Sequence, residues 1–507
     1  MMKNSLDRFV PDGFKPFVSS DDYKSHSRTT ISKKIKPKKV EFFSSYKEAF
    51  DYFKLRSGMT FSFHHHLRSG DWVINEVAKV IQKKKLKNIH IAPSSIFESY
   101  TELVPCIENG NITSIHTSYM NGPVSIAVQK GLLKGELVMQ THGGRARSIE
   151  SGEIHIDVAF LATPTVDKLG NGYGATGESA CGVLGYAVSD LEYADIVILV
   201  TDHLVDALDH IQLSKDYVDA VIVVDKIGNP EGIVSGTTKI TRDPIGLKIA
   251  KDTSVLLDKL GLIKNGFSMQ TGAGGTSLAV VDYVRAIMKK RNIKGRFASG
   301  GITSYYVKML EEGLFENLYD VQCFDLDAVK SVDRNQNHIA ISASKYGNPY
   351  EDLPICEQLD FVILGATEID LDFNVNVTTD SFGRIIGGSG GHSDIAHGAF
   401  CTVIVSQLIK SRLPIIKEEL QTISTPGENV DVFVCERGIA VNPLRKDLID
   451  QLNRKKVPIF TMKELLEEAH WVTGVPKKLP KNTKRIGVVE YRDGTIIDSL
   501  YQVESHV

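Results

Sequence analysis

Short runs of branched apolar residues alternate along this chain with stretches in which apolar positions recur every three or four residues. "NEVAKVIQ" (75–82) has helical spacing and is followed by the strand-like "NIHIA" (88–92). "DIVILV" (195–200) and "DAVIVV" (219–224) are continuous apolar runs, the pattern of strands buried on both faces. The alternation predicts an α/β fold in which helices cover largely buried strands. Residues 1–45 are polar, carry "KKIKPKK" (33–39), and show no period that marks a helix or strand.

Internal repeats sharpen this picture. "FSFHHHLRSGDWVINEVAKVI" (61–81) matches "FSMQTGAGGTSLAVVDYVRAIM" (267–288) as an apolar start, a turn of small or polar residues and a helical apolar rhythm, at an offset of 206. "DVAFLATPTVDKLGN" (157–171) aligns without a gap on "DFVILGATEIDLDFN" (360–374), placing Asp157 over Asp360, Asp167 over Asp370 and Asn171 over Asn374. Continued with a short insertion, the alignment sets "GATGESA" (174–180) opposite "GGSGGHSD" (387–394). Two related α/β domains are therefore expected, over 46–250 and 251–475, after a basic arm (1–45) and before an extension (476–507) that reads as a hairpin around Asp493-Gly494. Duplicated domains that face each other commonly build one asymmetric site in the cleft between them.

Composition narrows the function classes. The chain has 507 residues, and its 59 Lys and Arg against 62 Asp and Glu give no general attraction to nucleic acid or to anionic membrane. Its six cysteines are widely spaced in apolar surroundings, as for reduced core thiols. With no signal-like apolar core at the amino terminus and no apolar run near the ~20 residues a membrane span needs, the chain reads as cytoplasmic and soluble.

Several motifs offer chemistry. "IIGGSGGHSDIAHGA" (385–399) puts five small residues ahead of His392, Asp394 and His397. Bare backbone N–H groups beside a reacting atom, or a metal held by the three polar side chains, both fit that pattern. His64, His65 and His66 resemble a metal tract, but only alternate side chains of an extended turn share a side, so a polar or anion-binding turn fits as well. "MQTGAGGTS" (269–277) reads as a strand, a glycine turn and a helix start, suited to an anion or an oxyanion or simply to a tight turn, and it lacks the Lys-Ser/Thr ending of a P-loop. Arg145 and Arg147, flanked by small residues, suit a polycarboxylate or phosphate, or a structural ion pair. Asn171 and Glu178 lie in the turn set opposite the glycine run, as ligands or as turn-forming residues. Gly172-x-Gly174-x-x-Gly177 matches a dinucleotide fingerprint only formally, because eight residues separate it from the preceding strand.

Taken in order, "MQTGAGGTSLAV", "LGATEIDLDFNVN", "IIGGSGGHSDIAHGA" and "STPGENVDVFVCERGIAVNP" (424–443) resemble the second domain of the CoA-transferase superfamily. Together with "GEIHIDVAFLATPTVDKLGNGYGATG" (152–177), the span from about 45 to 475 resembles the citrate lyase alpha-subunit, or citrate CoA-transferase, family. That resemblance implies two duplicated CoA-transferase-like domains with a cleft site, and exchange of acetyl for citryl on an acyl-carrier thioester. It implies Gly387, Gly388, Gly390 and Gly391 as the catalytic backbone. Ser389 and the facing turn of Gly272, Gly274 and Gly275 would bind the CoA-type thioester, and Arg145, Arg147, His65, Asn171 and Glu178 would bind citrate. No metal and no covalently bound cofactor is expected. The implied partners are an acyl carrier subunit bearing a CoA-derived group, a citryl lyase subunit, further copies of this chain, and citrate, acetate and acetyl-CoA. Many relatives in the superfamily carry a nucleophilic glutamate where this chain has Gly300, which implies transfer in a ternary complex without a glutamyl-enzyme. A related substrate such as citramalate, a metal-dependent hydrolase and a non-catalytic thioester-binding subunit are the alternatives.

Overall fold

The structure is a computed structural model that describes residues 2–19, 30–35, 39–234, 238–477 and 483–503. The first half holds strands β1 (Glu41–Phe43), β2 (Thr60–Phe63), β3 (Ile89–Pro93), β4 (Ile112–Thr117), β5 (Leu137–Met139), β6 (Val158–Ala162), β7 (Ile196–Thr201) and β8 (Ala220–Val223). They form a parallel sheet in the order β5-β4-β3-β2-β6-β7-β8-β1. The second half holds β9 (Ser268–Thr271), β10 (Gly295–Ile302), β11 (Phe315–Cys323), β12 (His338–Ala340), β13 (Phe361–Gly365), β14 (Thr402–Val405), β15 (Val432–Cys435) and β16 (Gly438–Val441), ordered β12-β11-β10-β9-β13-β14-β15-β16. Apart from the last strand, which is antiparallel in the second sheet, the two orders are the same. The apolar runs account for this: Val197, Ile198, Leu199 and Val200 are all fully buried, as a strand covered on both faces requires. The Val73–Lys83 helix turns Val73, Val77 and Ile81 inward at a spacing of four.

Equivalent side chains pin the two repeats. Asp157 Oδ2 accepts the N–H of Thr60 at 2.7 Å, and Asp360 Oδ2 accepts that of Ser268 at 2.8 Å. Asp167 accepts the N–H and the side-chain amide of Asn171, and Asp370 does the same for Asn374. The strand pair β2 and β9 therefore stands at an offset of 208, two residues from the 206 read from the sequence. A slip of two leaves every side chain on its own face of the sheet, so the apolar pattern does not register it. In the corrected frame His64, His65 and His66 occupy the places of Gly272, Ala273 and Gly274.

The extension closes back on the first half. β17 (Arg485–Glu490) and β18 (Ile496–Tyr501) form a hairpin whose β17 runs parallel to β5, and Gly494 takes the left-handed turn position at φ 91°. The amino-terminal segment, in which no strand is expected, forms a two-residue ladder of Met2–Lys3 with Phe9–Val10, and Val10 is buried against Val488 and Ile496. In the basic stretch Lys33 and Lys34 pair with Glu192 and Asp195, while residues 36–38 lie outside the described residues. All six cysteines are buried as free thiols, and no helix among the described residues is long and apolar enough to cross a membrane.

Candidate active site between the two halves

In parallel sheets the segments leaving the carboxyl ends of the strands build sites, and here those segments from the two halves meet. The glycine run docks by its backbone on the ends of β4 and β5: Gly390 N–H donates to Ser118 O at 3.0 Å, Gly390 O accepts from His142 N–H at 2.8 Å, and Gly387 O accepts from Met120 N–H at 3.2 Å. A Cβ on Gly388 would stand 2.3 Å from Ser118 O, and one on Gly391 would stand 2.3 Å from Tyr346 Oη. Gly390 holds φ at 52°, a region that favours glycine. The first half reciprocates. A Cβ on Gly185 would stand 2.3 Å from Ile341 O and 2.7 Å from Val321 O, beyond β12 and in β11. The counterpart of the glycine run is thus the segment around Gly185, which precedes the Val188–Tyr193 helix as the run precedes His392–Gly398. "GATGESA" instead continues from the small antiparallel pair Thr165–Asp167 and Gly172–Tyr173, which also removes Gly172 from any dinucleotide role.

The docking separates the glycines by task. Gly387 N–H donates to Thr378 O and Gly390 N–H to Ser118 O, so neither amide serves a ligand. The N–H groups of Gly388, Ser389 and Gly391 donate to no acceptor among the described residues. The second turn behaves similarly. Gly272 N–H is spent on Ile363 O, whereas Gly274 and Gly275 open the 17-residue Gly275–Arg291 helix without a side-chain cap. Ser277 Oγ in that first turn is buried with no partner among the described residues.

The three rings of the histidine turn have different partners. Tyr186 N–H donates to His66 Nε2 at 3.2 Å, the His66 and His64 Nδ1 atoms lie 2.6 Å apart, and His64 Nε2 reaches Ala162 O at 2.8 Å. One neutral tautomer of each ring satisfies that whole chain, so His64 and His66 are structural. His65 bonds differently: it stacks on Tyr186 at 4.6 Å, which His66 also meets at 5.3 Å, and on His142 at 5.6 Å, with its Nδ1 2.6 Å from Ser94 Oγ. Burial holds these rings uncharged: His64 falls to about 4, His142 to about 3, and His65 and His66 well below the ordinary value. The trio suggested as metal ligands does not converge. His392 spends both nitrogens on Thr425 Oγ1 and Gly365 O, and His397 Nδ1 meets Tyr491 Oη. Asp394 caps the His142–Glu150 helix of the other half by accepting from Thr141 Oγ1 at 2.7 Å and Gly143 N–H at 2.9 Å.

Four expected citrate ligands are placed differently. Arg145 is buried and bidentate to Asp190 at 2.9 and 3.0 Å, with further bonds to Ser62 Oγ and Ala92 O. Arg147 is fully buried under the carboxy-terminal hairpin, bonded to Glu153, Glu490 and Arg492 O. Asn171 closes its own turn with Asp167 and accepts from Lys215 N–H, as Asn374 does from Gly427 N–H. Glu178 is exposed. For the two arginines the structure shows the ion-pair alternative, with partners that lie far along the chain. The cation it passed over is Arg68, partly buried, whose guanidinium carbon lies 5.4 Å from the Phe97 ring centre and 5.1 Å from that of Phe324 in the other half. Its guanidinium donates to no acceptor among the described residues. On the second sheet Gly300 has φ 103°, and a Cβ there would strike the Gln270 amide at 2.5 Å; that amide donates to Tyr346 Oη at 2.8 Å.

The family model for "Citrate lyase, alpha subunit (CitF)" matches residues 39–503, which span both sheets and the hairpin. The chain belongs to the citrate lyase alpha-subunit family. It is an enzyme of the citrate CoA-transferase group. It is 44% identical over 476 residues to the citrate lyase alpha chain of Haemophilus influenzae, covering 94% of this chain and 95% of that one. To the Klebsiella pneumoniae alpha chain it is 42% identical, with 89% of each covered. It superposes on a crystal structure from Streptococcus mutans, described as the alpha subunit of citrate lyase in complex with citrate, with TM-score 0.94 at 41% identity over 99% of this chain and 100% of that one. A malonate decarboxylase alpha subunit from Acinetobacter baumannii, at 15% identity and TM-score 0.61 over 83% of this chain and 93% of that one, shares the fold alone.

Proposed function

We propose that this cleft exchanges the acyl group on a carrier thioester, acetyl-carrier plus citrate giving citryl-carrier plus acetate. The observation that carries the reading is the set of backbone N–H groups at Gly388, Ser389 and Gly391, without acceptors among the described residues, on a loop clamped between the halves. A citrate carboxylate attacks the acetyl carbonyl, and the tetrahedral oxyanion collapses to a mixed acetyl-citryl anhydride as the carrier thiolate leaves. The thiolate then attacks the citryl carbonyl of the anhydride and acetate departs. Both steps raise negative charge on a former carbonyl oxygen, where fixed N–H donors stabilise it; losing one such donor costs on the order of 10²–10³ in rate. Holding both acyl partners together supplies much of the rest. Nucleophile and leaving group are anions throughout, so no proton transfer is needed, in keeping with neutral, buried His65 and His142. Gly300 supports transfer within a ternary complex, since no carboxylate stands at that position and its φ of 103° disfavours any side chain there.

Under this reading the glycine turn at Gly272–Gly275 takes an anionic part of the CoA-type group, which arrives on an acyl carrier subunit rather than bound to this chain. A citryl lyase subunit consumes the product, and the chain assembles with further copies of itself. Citramalate is the competing substrate. Purified chain incubated with acetyl-CoA and citrate is expected to yield citryl-CoA and acetate with no mass added to the protein. Absence of citryl-CoA, or a stable acyl-protein adduct, refutes the scheme.

A further inference from the structure

Charge in the cleft is unevenly distributed. His65 and His142 are held neutral by burial, and Arg145 is neutralised by Asp190. Arg68 differs from all of these. It stands on the same turn as His65, its N–H bonded to His65 O at 2.8 Å and its carbonyl accepting from Tyr100 Oη at 3.1 Å. The backbone is thereby fixed while the guanidinium lies against two rings and meets no acceptor among the described residues, and ring contacts consume none of its five N–H donors. No carboxylate among the described residues pairs with it.

Two further features show that this placement is built. Arg68 has φ 52°, a left-handed backbone that a non-glycine residue adopts at a cost and keeps where surrounding structure imposes it. The Phe324 ring fits because position 301 is glycine: a Cβ there would stand 2.2 Å from that ring, at the register shift between Gly300 and Gly301. The strand irregularity of the second half thus seats an aromatic ring against a cation of the first. Tyr186 Oη, which has no hydrogen-bond partner among the described residues, belongs to the same wall through the stack on His65. Partial burial draws the Arg68 pKa down, yet from so high a starting value that the group stays charged near neutrality.

We propose that Arg68 binds a carboxylate of the polycarboxylate substrate through paired hydrogen bonds from its guanidinium, with Phe97 and Phe324 fixing its orientation across the two halves. This rests on reading the cleft as the transferase site, and it moves the anion-recognition role from Arg145 and Arg147 to Arg68. A planar fork suits a carboxylate bidentately, as a lysine ammonium does not.

The test is calorimetric titration of the full chain with citrate and, separately, with acetyl-CoA, for wild type, Arg68→Met and Arg68→Lys, with melting temperature as the fold control. Arg68→Met is expected to raise the citrate Kd by about tenfold to a hundredfold and the acetyl-CoA Kd by less than about threefold, the size of a hydrogen-bonded charge lost. Arg68→Lys is expected to fall between. An unchanged citrate Kd, or equal loss for both ligands, overturns the proposal. Should Arg68→Met not fold, Arg68→Lys decides by the same criteria, because it keeps the charge and removes only the fork. Citrate binding by wild type without acetyl exchange overturns the transfer reading and leaves the Arg68 assignment standing. No citrate binding by wild type overturns both.

Discussion

Replacing Gly388 by alanine tests the docked loop most directly. The new Cβ would lie 2.3 Å from Ser118 O and 2.8 Å from Tyr119 Cα, both backbone atoms of the other half, whereas real Cβ contacts do not go under 3.0 Å. The loop must retreat by about 0.7 Å at least. The flanking bonds, Gly390 N–H to Ser118 O at 3.0 Å and Met120 N–H to Gly387 O at 3.2 Å, then stretch beyond hydrogen-bonding distance. Buried groups left unpaired cost about 1–3 kcal/mol each, so docking weakens by roughly 2–6 kcal/mol. Displacing the Gly388, Ser389 and Gly391 donors by nearly an ångström costs on the order of 10²-fold in rate. The assay is initial-rate formation of citryl-CoA beside thermal unfolding. More than half the wild-type rate at an unchanged melting temperature would refute the argument that this backbone must lie against Ser118.

Arg145→Met should leave Asp190 buried and unpaired, destabilising the fold by about 3–5 kcal/mol without a selective rise in citrate KM; a normal melting temperature with a raised citrate KM would return Arg145 to the ligands. Gly300→Glu should be inactive and give no acyl-protein mass with acetyl-CoA, because φ 103° strains any side chain there and the new one would also press on the Gln270 amide; a covalent adduct would contradict this. Acidification should destabilise the protein. His64, His90 and His392 are pushed down to about 4, His116, His142 and His397 to about 3, and His65 and His66 well below normal, all chiefly by burial. Unfolding therefore takes up protons, and this stability, whole above pH ~6.5, is lost as pH falls toward the folded values. Asp71 and Glu150, raised to about 7, Asp370 and Asp394, raised to about 6, and Asp431 and Glu490, also raised by burial, act oppositely, their contribution being lost as pH rises through the folded values. Eight groups outweigh six, so the melting temperature should drop between pH 7 and 5 at constant ionic strength, and a maximum near pH 5 would contradict the balance.

Much of this was legible in the residues because it is local. Strand runs, helical spacing and two Asp-x-x-x-Asn turns are written over a few positions each, so the duplicated α/β fold and the hairpin at Asp493-Gly494 follow from the chain alone. The glycine run also announced itself, since five small residues before a helix mark a backbone that something must approach closely. Which glycine did what was not written there. Gly390 and Gly387 spend their amides on Ser118 and Thr378 while Gly388 keeps its own free, and only the docking of one half on the other makes that division. The arginines show the same limit. Arg145 and Arg147 could be read as ligand-binding or as ion-paired, and Asp190 and Glu490 reach them from elsewhere, whereas the Arg68 guanidinium has no acidic partner among the described residues and lies against Phe97 and Phe324. Local periodicity determines which elements form. The charge that stays uncompensated, and the N–H that stays unpaired, depend on partners distant in sequence, so only the tertiary structure decided the site.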